Sequence, residues 1–338
     1  MQINTTMPTT RQRYLDIVKG ISILGITFLH YESGLLSDYA NCYIGLFMIV
    51  MFYFVPGWLD AMNERKLTLK ELCRKRWQQL GKPYIYWTGI ILVFDLILFA
   101  FGYYDTYFIA REVYKSVILR GIGTLWFLPA LFGGEILWHI VKRRLWATVL
   151  ALIAIYTYQY FYYQAFALVE GHMMQIIEAP FRVVCSVSTA LLMIAVGYYS
   201  FKLSARMALN RWVVLPVGVL LTAVSFTTVS LSVFPHFQSI VECLALVLLF
   251  KGLPDGKLWD YFDYWGRNSL SLMVTHYSIT LVISRIIVEK FIGMYFYGKV
   301  TIYAFVVSMI VSYFMTLALN KYFPCLLGKK VKLLKNIQ

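Results

Sequence analysis

Long apolar runs recur along the whole chain, separated by short segments rich in charge, glycine or proline. Because a bilayer core of about 30 Å needs about 20 mostly apolar residues per helix, each run of that length is a candidate membrane span. Such runs cover residues 17–36, 41–61, 83–103, 123–141, 145–165, 180–201, 211–228, 232–250, 268–289 and 299–321. The sequence therefore predicts an all-α polytopic membrane protein with about ten transmembrane helices. Only 14% of the 338 residues are charged, far below the roughly one quarter of soluble proteins.

The basic residues are distributed unevenly between alternate connecting segments. Lys and Arg near helix ends accumulate on the cytoplasmic side of a membrane. With a cytoplasmic N-terminus, the inner segments hold 24 of the 31 basic residues, whereas the outer segments hold only Arg111, Lys115, Arg120, Lys290 and Lys299. We therefore expect both termini, residues 1–12 and 325–338, to be cytoplasmic tails. The net charge of +14 is explained by this topology and by attraction to anionic membrane lipid, with no indication of nucleic-acid binding.

No segment is long enough for an additional soluble domain, so residues 1–338 are predicted to form one integral-membrane domain, located in a membrane such as the bacterial inner membrane. Residues 62–82 resemble a short basic amphipathic helix ended by Gly81 and Pro83. Residues 104–122 show a weaker helical pattern at the interface. The five cysteines are scattered without a CxxC spacing, so no disulfide framework and no metal site is predicted.

Ionisable residues inside apolar spans are costly in lipid and therefore indicate functional positions. Lys19 and His30 are eleven residues apart, which at about 100° per residue places them within about 20° of one helix face, with a rise of roughly 16 Å. This spacing predicts a polar channel that runs from a cation at the cytoplasmic mouth to an imidazole at about the middle of the membrane. The alternative is that Lys19 extends to the interface and His30 bonds a neighbouring helix.

Several segments resemble, in order, the integral-membrane acyltransferase 3 family, especially its fucose O-acetylase-like branch. The first is the run DIVKGI from Asp16, with His30 eleven residues after Lys19. The others are FMIVMFYFVPG (47–57), KPY (82–84) with Trp87, LWFLPAL (125–131), and GRNSLS (266–271) followed by His276. The chain departs from the family pattern at Lys19, where an arginine is usual, at Gln79, in the second arginine position of the third-helix motif, and at Met48, where a histidine is often found.

The resemblance implies transfer of an acyl group, usually acetyl from cytosolic acetyl-CoA, to a sugar hydroxyl of a cell-surface glycan or lipid-linked precursor. The donor phosphates would then be held by cations at the inner mouth, for which the candidates are Lys19, Arg74, Arg76 and Lys82. The alternative for this cluster is ordinary cytoplasmic charge.

His30 is the candidate catalytic residue, either as the general base that takes the proton of the acceptor hydroxyl or as a nucleophile that forms an acyl-imidazole. We prefer the general base because nothing in the sequence demands a covalent step. Glu135 and Glu242 are candidates for the carboxylate that orients it. Trp126, His276 and Tyr277 are candidate acceptor contacts, with core packing as the alternative.

Two other functions fit the same composition. A polytopic carrier or flippase for a glycan or small molecule also needs many helices, intramembrane charge and a basic rim, but no acyl chemistry. A catalytically inactive relative of the acyltransferases would share their motifs, and Gln79 and Met48 keep this alternative open.

Overall fold

The computed structural model describes residues 11–31, 35–63, 67–167, 171–207, 210–228, 236–292 and 297–329. Every regular element in these ranges is helical. The α-helices are α1 (Arg13–Tyr31), α2 (Asp38–Met48), α3 (Met51–Asn63), α4 (Leu69–Arg76), α5 (Lys82–Ala100), α6 (Thr106–Val117), α7 (Phe127–Val141), α8 (Leu145–Phe166), α9 (His172–Arg206), α10 (Arg211–Thr227), α11 (Phe237–Gly252), α12 (Asp260–Arg267), α13 (Ser269–Thr275), α14 (Val282–Ile292) and α15 (Tyr297–Tyr322). Two π-helical turns, Trp77–Gly81 and His276–Leu281, join α4 to α5 and α13 to α14.

Seven helical segments of the described chain are long and apolar enough to cross a membrane, which confirms an all-α polytopic membrane protein. They are Asp38–Asn63, Leu69–Ala100, Gly123–Val141, Leu145–Phe166, His172–Arg206, Ser269–Ile287 and Ile302–Tyr322. The other three predicted spans overlap α1, α10 and α11. Of these helices, α10 and α11 have only 17 and 16 residues. Ten crossings and cytoplasmic termini stay predictions, and most of both predicted tails lies outside the described residues.

The predicted end of the basic helix at Gly81 and Pro83 is wrong, because the helix continues from Leu69 to Ala100. It begins with a capping box in which Thr68 and Glu71 bond each other's backbone N–H groups. The five residues of the π turn, Trp77–Gly81, precede Pro83, which lies in the first turn of α5. A proline ring clashes with the carbonyl four residues earlier in a regular α-helix, and the wider turn avoids that clash.

Glycines bring α1 and α12 into close backbone contact. A Cβ on Gly20 would meet the carbonyl of Phe262, and a Cβ on Gly266 would meet the carbonyl of Asp16. Small residues allow such approach between helices in membranes, where dispersion contacts replace the hydrophobic effect. Because the later residue of α12 faces the earlier residue of α1, the two helices are antiparallel.

The chain reverses after α12, so that the next helical run follows α1 in parallel. Leu272 belongs to the same buried cluster as Ile23, and Leu281 belongs to the same buried cluster as Tyr31. His276 lies between Leu272 and Leu281 in sequence, and this register places it beside the second half of α1.

The helical pattern predicted in residues 104–122 is confirmed by α6. Asp105 caps this helix by accepting a hydrogen bond of 2.7 Å from the Phe108 N–H. The loop after α6 turns sharply through three residues with positive φ, Leu119, Gly121 and Gly123. The hydroxyl of Thr124 then donates to the Met273 carbonyl at 2.6 Å, which fixes the loop against α13.

Candidate active site

A cavity of about 510 Å³ lies between α1, α5, α6 and the run from α13 to α14. Four residues singled out from the sequence line it together: His30, Trp126, His276 and Tyr277. The helices bring these residues together from three distant parts of the chain. A concave site with a few convergent polar groups is the usual form of a small-molecule site.

The two histidines are in ring contact. The His30 ring centroid lies 5.3 Å from that of His276 and 4.7 Å from that of Tyr277. Nδ1 of His276 lies 2.8 Å from the Leu272 carbonyl, an acceptor, so we assign the proton to Nδ1 and a free lone pair to Nε2. His276 is fully buried, and its Nε2 has no hydrogen-bond partner among the described residues. His30 is the penultimate residue of α1, closer to the end of its helix than the predicted mid-membrane level.

The π turn that begins at His276 gives this wall of the cavity its shape. Such single π turns often occur at functional sites, because they change the direction of the side chains around them. The loop after α6 packs directly on this turn: a Cβ on Gly123 would meet Ser278 Oγ and the ring of Tyr277. Gly123 also has a φ of 52°, which favours glycine.

One end of the cavity is apolar. Along α1 its lining residues are Ile23 and Ile26, followed by His30, and along the other wall Met273 precedes His276. Both histidines therefore lie at the border of an apolar compartment, which Phe52 helps to close.

The opposite end of the cavity is charged and was not predicted from the sequence. Its ionisable lining residues are four bases and two acids: Arg111, Lys115, Arg120, Arg285, Asp95 and Glu112. In the sequence, the bases of residues 104–122 indicated only the topology of the chain. Their concentration in one outer segment, otherwise poor in charge, is the signal that could have indicated a binding site.

The candidate donor residues lie outside the lining of this cavity. Lys19 pairs with Asp16 at 2.7 Å, and Arg76 forms an ion pair with Glu135. Arg74 and Lys82 are exposed on the helical run that begins with α4.

The predicted polar path from Lys19 to His30 stays a prediction, because Lys19 does not line the cavity, and the residues between the two on this helix face that do line it, Ile23 and Ile26, are apolar. The helical spacing correctly identified one face of α1. It said nothing of the residues in between, which make that face apolar.

Neither predicted orienting carboxylate lines the cavity of His30. Glu135 lies in a smaller cavity with Arg76, and the buried Glu242 faces Tyr43 and Ser225. The carboxylates that do line the His30 cavity are Asp95 and Glu112. The rotation of one span relative to another depends on packing, so the sequence could not distinguish among these four acids.

The motif substitution at Gln79 has a local consequence. Its side-chain oxygen accepts a hydrogen bond of 2.8 Å from Arg76. Gln79 thereby completes the surroundings of Arg76, whose other partner is Glu135. A second arginine at this position would instead put two cations beside one carboxylate.

Comparison with known proteins identifies one family. The family described as an acyltransferase domain, acyltransferase 3, matches residues 12–321, which is nearly the whole chain. No curated protein and no solved structure matches the chain significantly. The matched region includes every residue of the cavity.

Proposed function

This chain belongs to the acyltransferase 3 family, and from that premise we propose that it is a membrane O-acetyltransferase. The acetyl group comes from cytosolic acetyl-CoA, and the acceptor is a sugar hydroxyl of a cell-surface glycan or lipid-linked precursor. The observation that carries this proposal is the contact of two imidazoles, His30 and His276, at the border between the apolar and the charged end of one cavity.

His30 acts as the general base. It accepts the proton of the sugar hydroxyl while that oxygen attacks the thioester carbonyl, and the imidazolium then returns the proton to the CoA thiolate as the carbon–sulfur bond breaks. Imidazole suits both steps because its unperturbed pKa is about 6.5. His276 lies against His30, with its own ring held by the Leu272 carbonyl, and so limits the rotation of His30.

The donor approaches from the predicted cytoplasmic side. Arg74 and Lys82 are exposed there and form no salt bridge within the described chain, which suits them to bind the phosphates of CoA. The acyl group occupies the apolar compartment at Ile23 and Ile26. Only one helical turn, about 6 Å of rise, separates Lys19 from Ile23, so a small local opening admits the thioester arm.

The function is tested with labelled acetyl-CoA and membranes that contain the full chain and its native glycans. Wild type should release CoA and transfer label to a glycan, and His30→Ala should lose both. The matched control is His172→Ala, because His172 also contacts a tyrosine ring, that of Tyr107 at 4.8 Å, but lies outside the cavity. A carrier without acyl chemistry would release no CoA in any of the three proteins, and that result would reject the proposal.

A further inference from the structure

The charged end of the cavity indicates the chemistry of the acceptor. Resting on the proposed function, we propose that the acceptor is an anionic sugar, with a phosphate or carboxylate next to the ring that is acylated, and that Arg120 binds this group. Guanidinium groups suit this task because their fork of N–H donors matches the oxygens of phosphate and carboxylate.

The charge balance of the cavity supports this proposal. Its lining has four basic and two acidic side chains. Arg111 and Lys115 share one carboxylate oxygen, Glu112 Oε1, at 3.0 and 2.8 Å. Within the described chain, neither Arg120 nor Arg285 forms a salt bridge. The cavity therefore has excess positive charge that a bound anion would neutralise.

Arg120 is a partly buried cation, and the carboxylates that act on it electrostatically already have other partners. The two that act on it are Glu112 and Glu178. Glu112 is held by two other bases, and Glu178 is held by Arg182 at 2.8 Å and by the hydroxyl of Tyr162. Burial is the main cause that lowers the pKa of Arg120, which nevertheless stays charged because arginine starts from a very high value. A cation in such a place is unfavourable without a partner.

The backbone holds Arg120 beside a surface suited to a sugar ring. Its guanidinium lies 5.6 Å from the ring centroid of Trp126, which also lines the cavity. The preceding residue, Leu119, has a φ of 63°, which is unusual for a branched residue and requires support from its surroundings. An indole for the sugar and an arginine for its anionic group are thus adjacent.

The donor also carries phosphates, so the same cations could serve CoA. The distribution of basic residues argues against this, since it places the loop of Arg120 on the outer side and Arg74 and Lys82 on the inner side. CoA that arrives from the cytosol therefore meets Arg74 and Lys82 before Arg120. The experiment must therefore measure the binding of a phosphorylated sugar and the binding of CoA separately.

Binding to the purified full chain in lipid nanodiscs tests the proposal. The probes are glucose 1-phosphate, glucuronate, neutral glucose and free CoA, measured by calorimetry. We expect at least one anionic sugar to bind about tenfold more tightly than glucose, and Arg120→Gln to remove that difference. The matched control is Arg144→Gln, because Arg144 lies over Trp146 at 5.8 Å, outside the cavity. Arg144→Gln should keep the preference, and Arg120→Gln should bind CoA as wild type does, which also shows that it is folded.

Equal binding of all three sugars, or no binding of any, would overturn the inference. Loss of CoA affinity in Arg120→Gln with unchanged sugar binding would overturn it too, and would assign the cations to the donor. These outcomes are separate from a failure of the proposed function. His30-dependent acetyl transfer without an anion preference rejects only the inference, whereas absence of CoA release rejects the function.

Discussion

The imidazole of His30 lies against that of His276, with ring centroids 5.3 Å apart, although the two residues belong to the first and one of the last helices of the chain. His276 is fixed by the Leu272 carbonyl, whereas burial is the only influence found on His30 among the described residues, with no hydrogen bond. The pair therefore consists of one held and one freer ring. In the proposed reaction the freer ring exchanges the proton.

This relationship predicts that the two histidines act as one unit. His30→Ala should lower kcat for acetyl transfer by about 100-fold or more, the range of general base catalysis. His276→Ala should lower kcat by about tenfold, since it only loosens His30. The double variant should be no slower than His30→Ala, because the effects of groups that act together are not additive. A double variant slowed by the product of both factors would show independent roles.

Substitutions at the inner basic residues should have two different effects. Arg74→Gln and Lys82→Gln should raise KM for acetyl-CoA several-fold with an unchanged thermal midpoint, because both side chains are exposed. Arg76→Met should instead lower the free energy of unfolding by about 3–5 kcal/mol, because it leaves Glu135 buried without its cation. The rate of CoA release at varied acetyl-CoA concentration measures KM, and thermal unfolding in detergent measures the change in stability. A normal midpoint in Arg76→Met would show that the ion pair is not structural.

The contact of α1 with α12 should tolerate no added methyl group. Gly266→Ala places a Cβ against the Asp16 carbonyl, and overpacking of this kind costs about 1–3 kcal/mol. Its thermal midpoint should fall, and transfer should fall as well, because α1 carries His30. The control is Gly89→Ala, whose Cβ would meet nothing within 4 Å. Alanine is the better helix former, so Gly89→Ala should melt at the wild-type temperature or above it.

The apolar compartment should limit the length of the transferred acyl chain. Ile26→Ala enlarges it and should raise the ratio of kcat/KM for butyryl-CoA over acetyl-CoA by about tenfold, the scale of discrimination in an apolar pocket. Ile90→Ala is the control, since Ile90 is exposed on α5. An unchanged ratio in Ile26→Ala would mean that the acyl group lies elsewhere.

Some residues of the site could be predicted from the sequence, whereas their assembly in one cavity depends on contacts between helices. The apolar runs were sufficient to predict an all-helical membrane protein, and the motif around Lys19 was sufficient to choose His30. The sequence also named Trp126, His276 and Tyr277, but it gave core packing as the equal alternative. Their common cavity depends on the parallel register of α1 and the run after α12, which no local pattern encodes.

The predictions that the structure does not support share one cause. Lys19 and His30 were correctly placed on one face, yet between them this face lines the cavity with the apolar side chains of Ile23 and Ile26. Glu135 was considered as a partner for a histidine, yet its helix is rotated so that it meets Arg76. In both cases a short-range rule was extended to a contact between helices.

The sequence by itself determined that this chain lies in a membrane, which segments are helical, and which family it belongs to, because hydrophobicity and motif order are properties of neighbouring residues. Tertiary structure alone decided that His30 meets His276, and that Arg120 joins Trp126 at the charged end of their cavity. The physical reason is that contacts between helices depend on their rotation and register. Small residues such as Gly20 and Gly266 set both through close packing over the whole bundle.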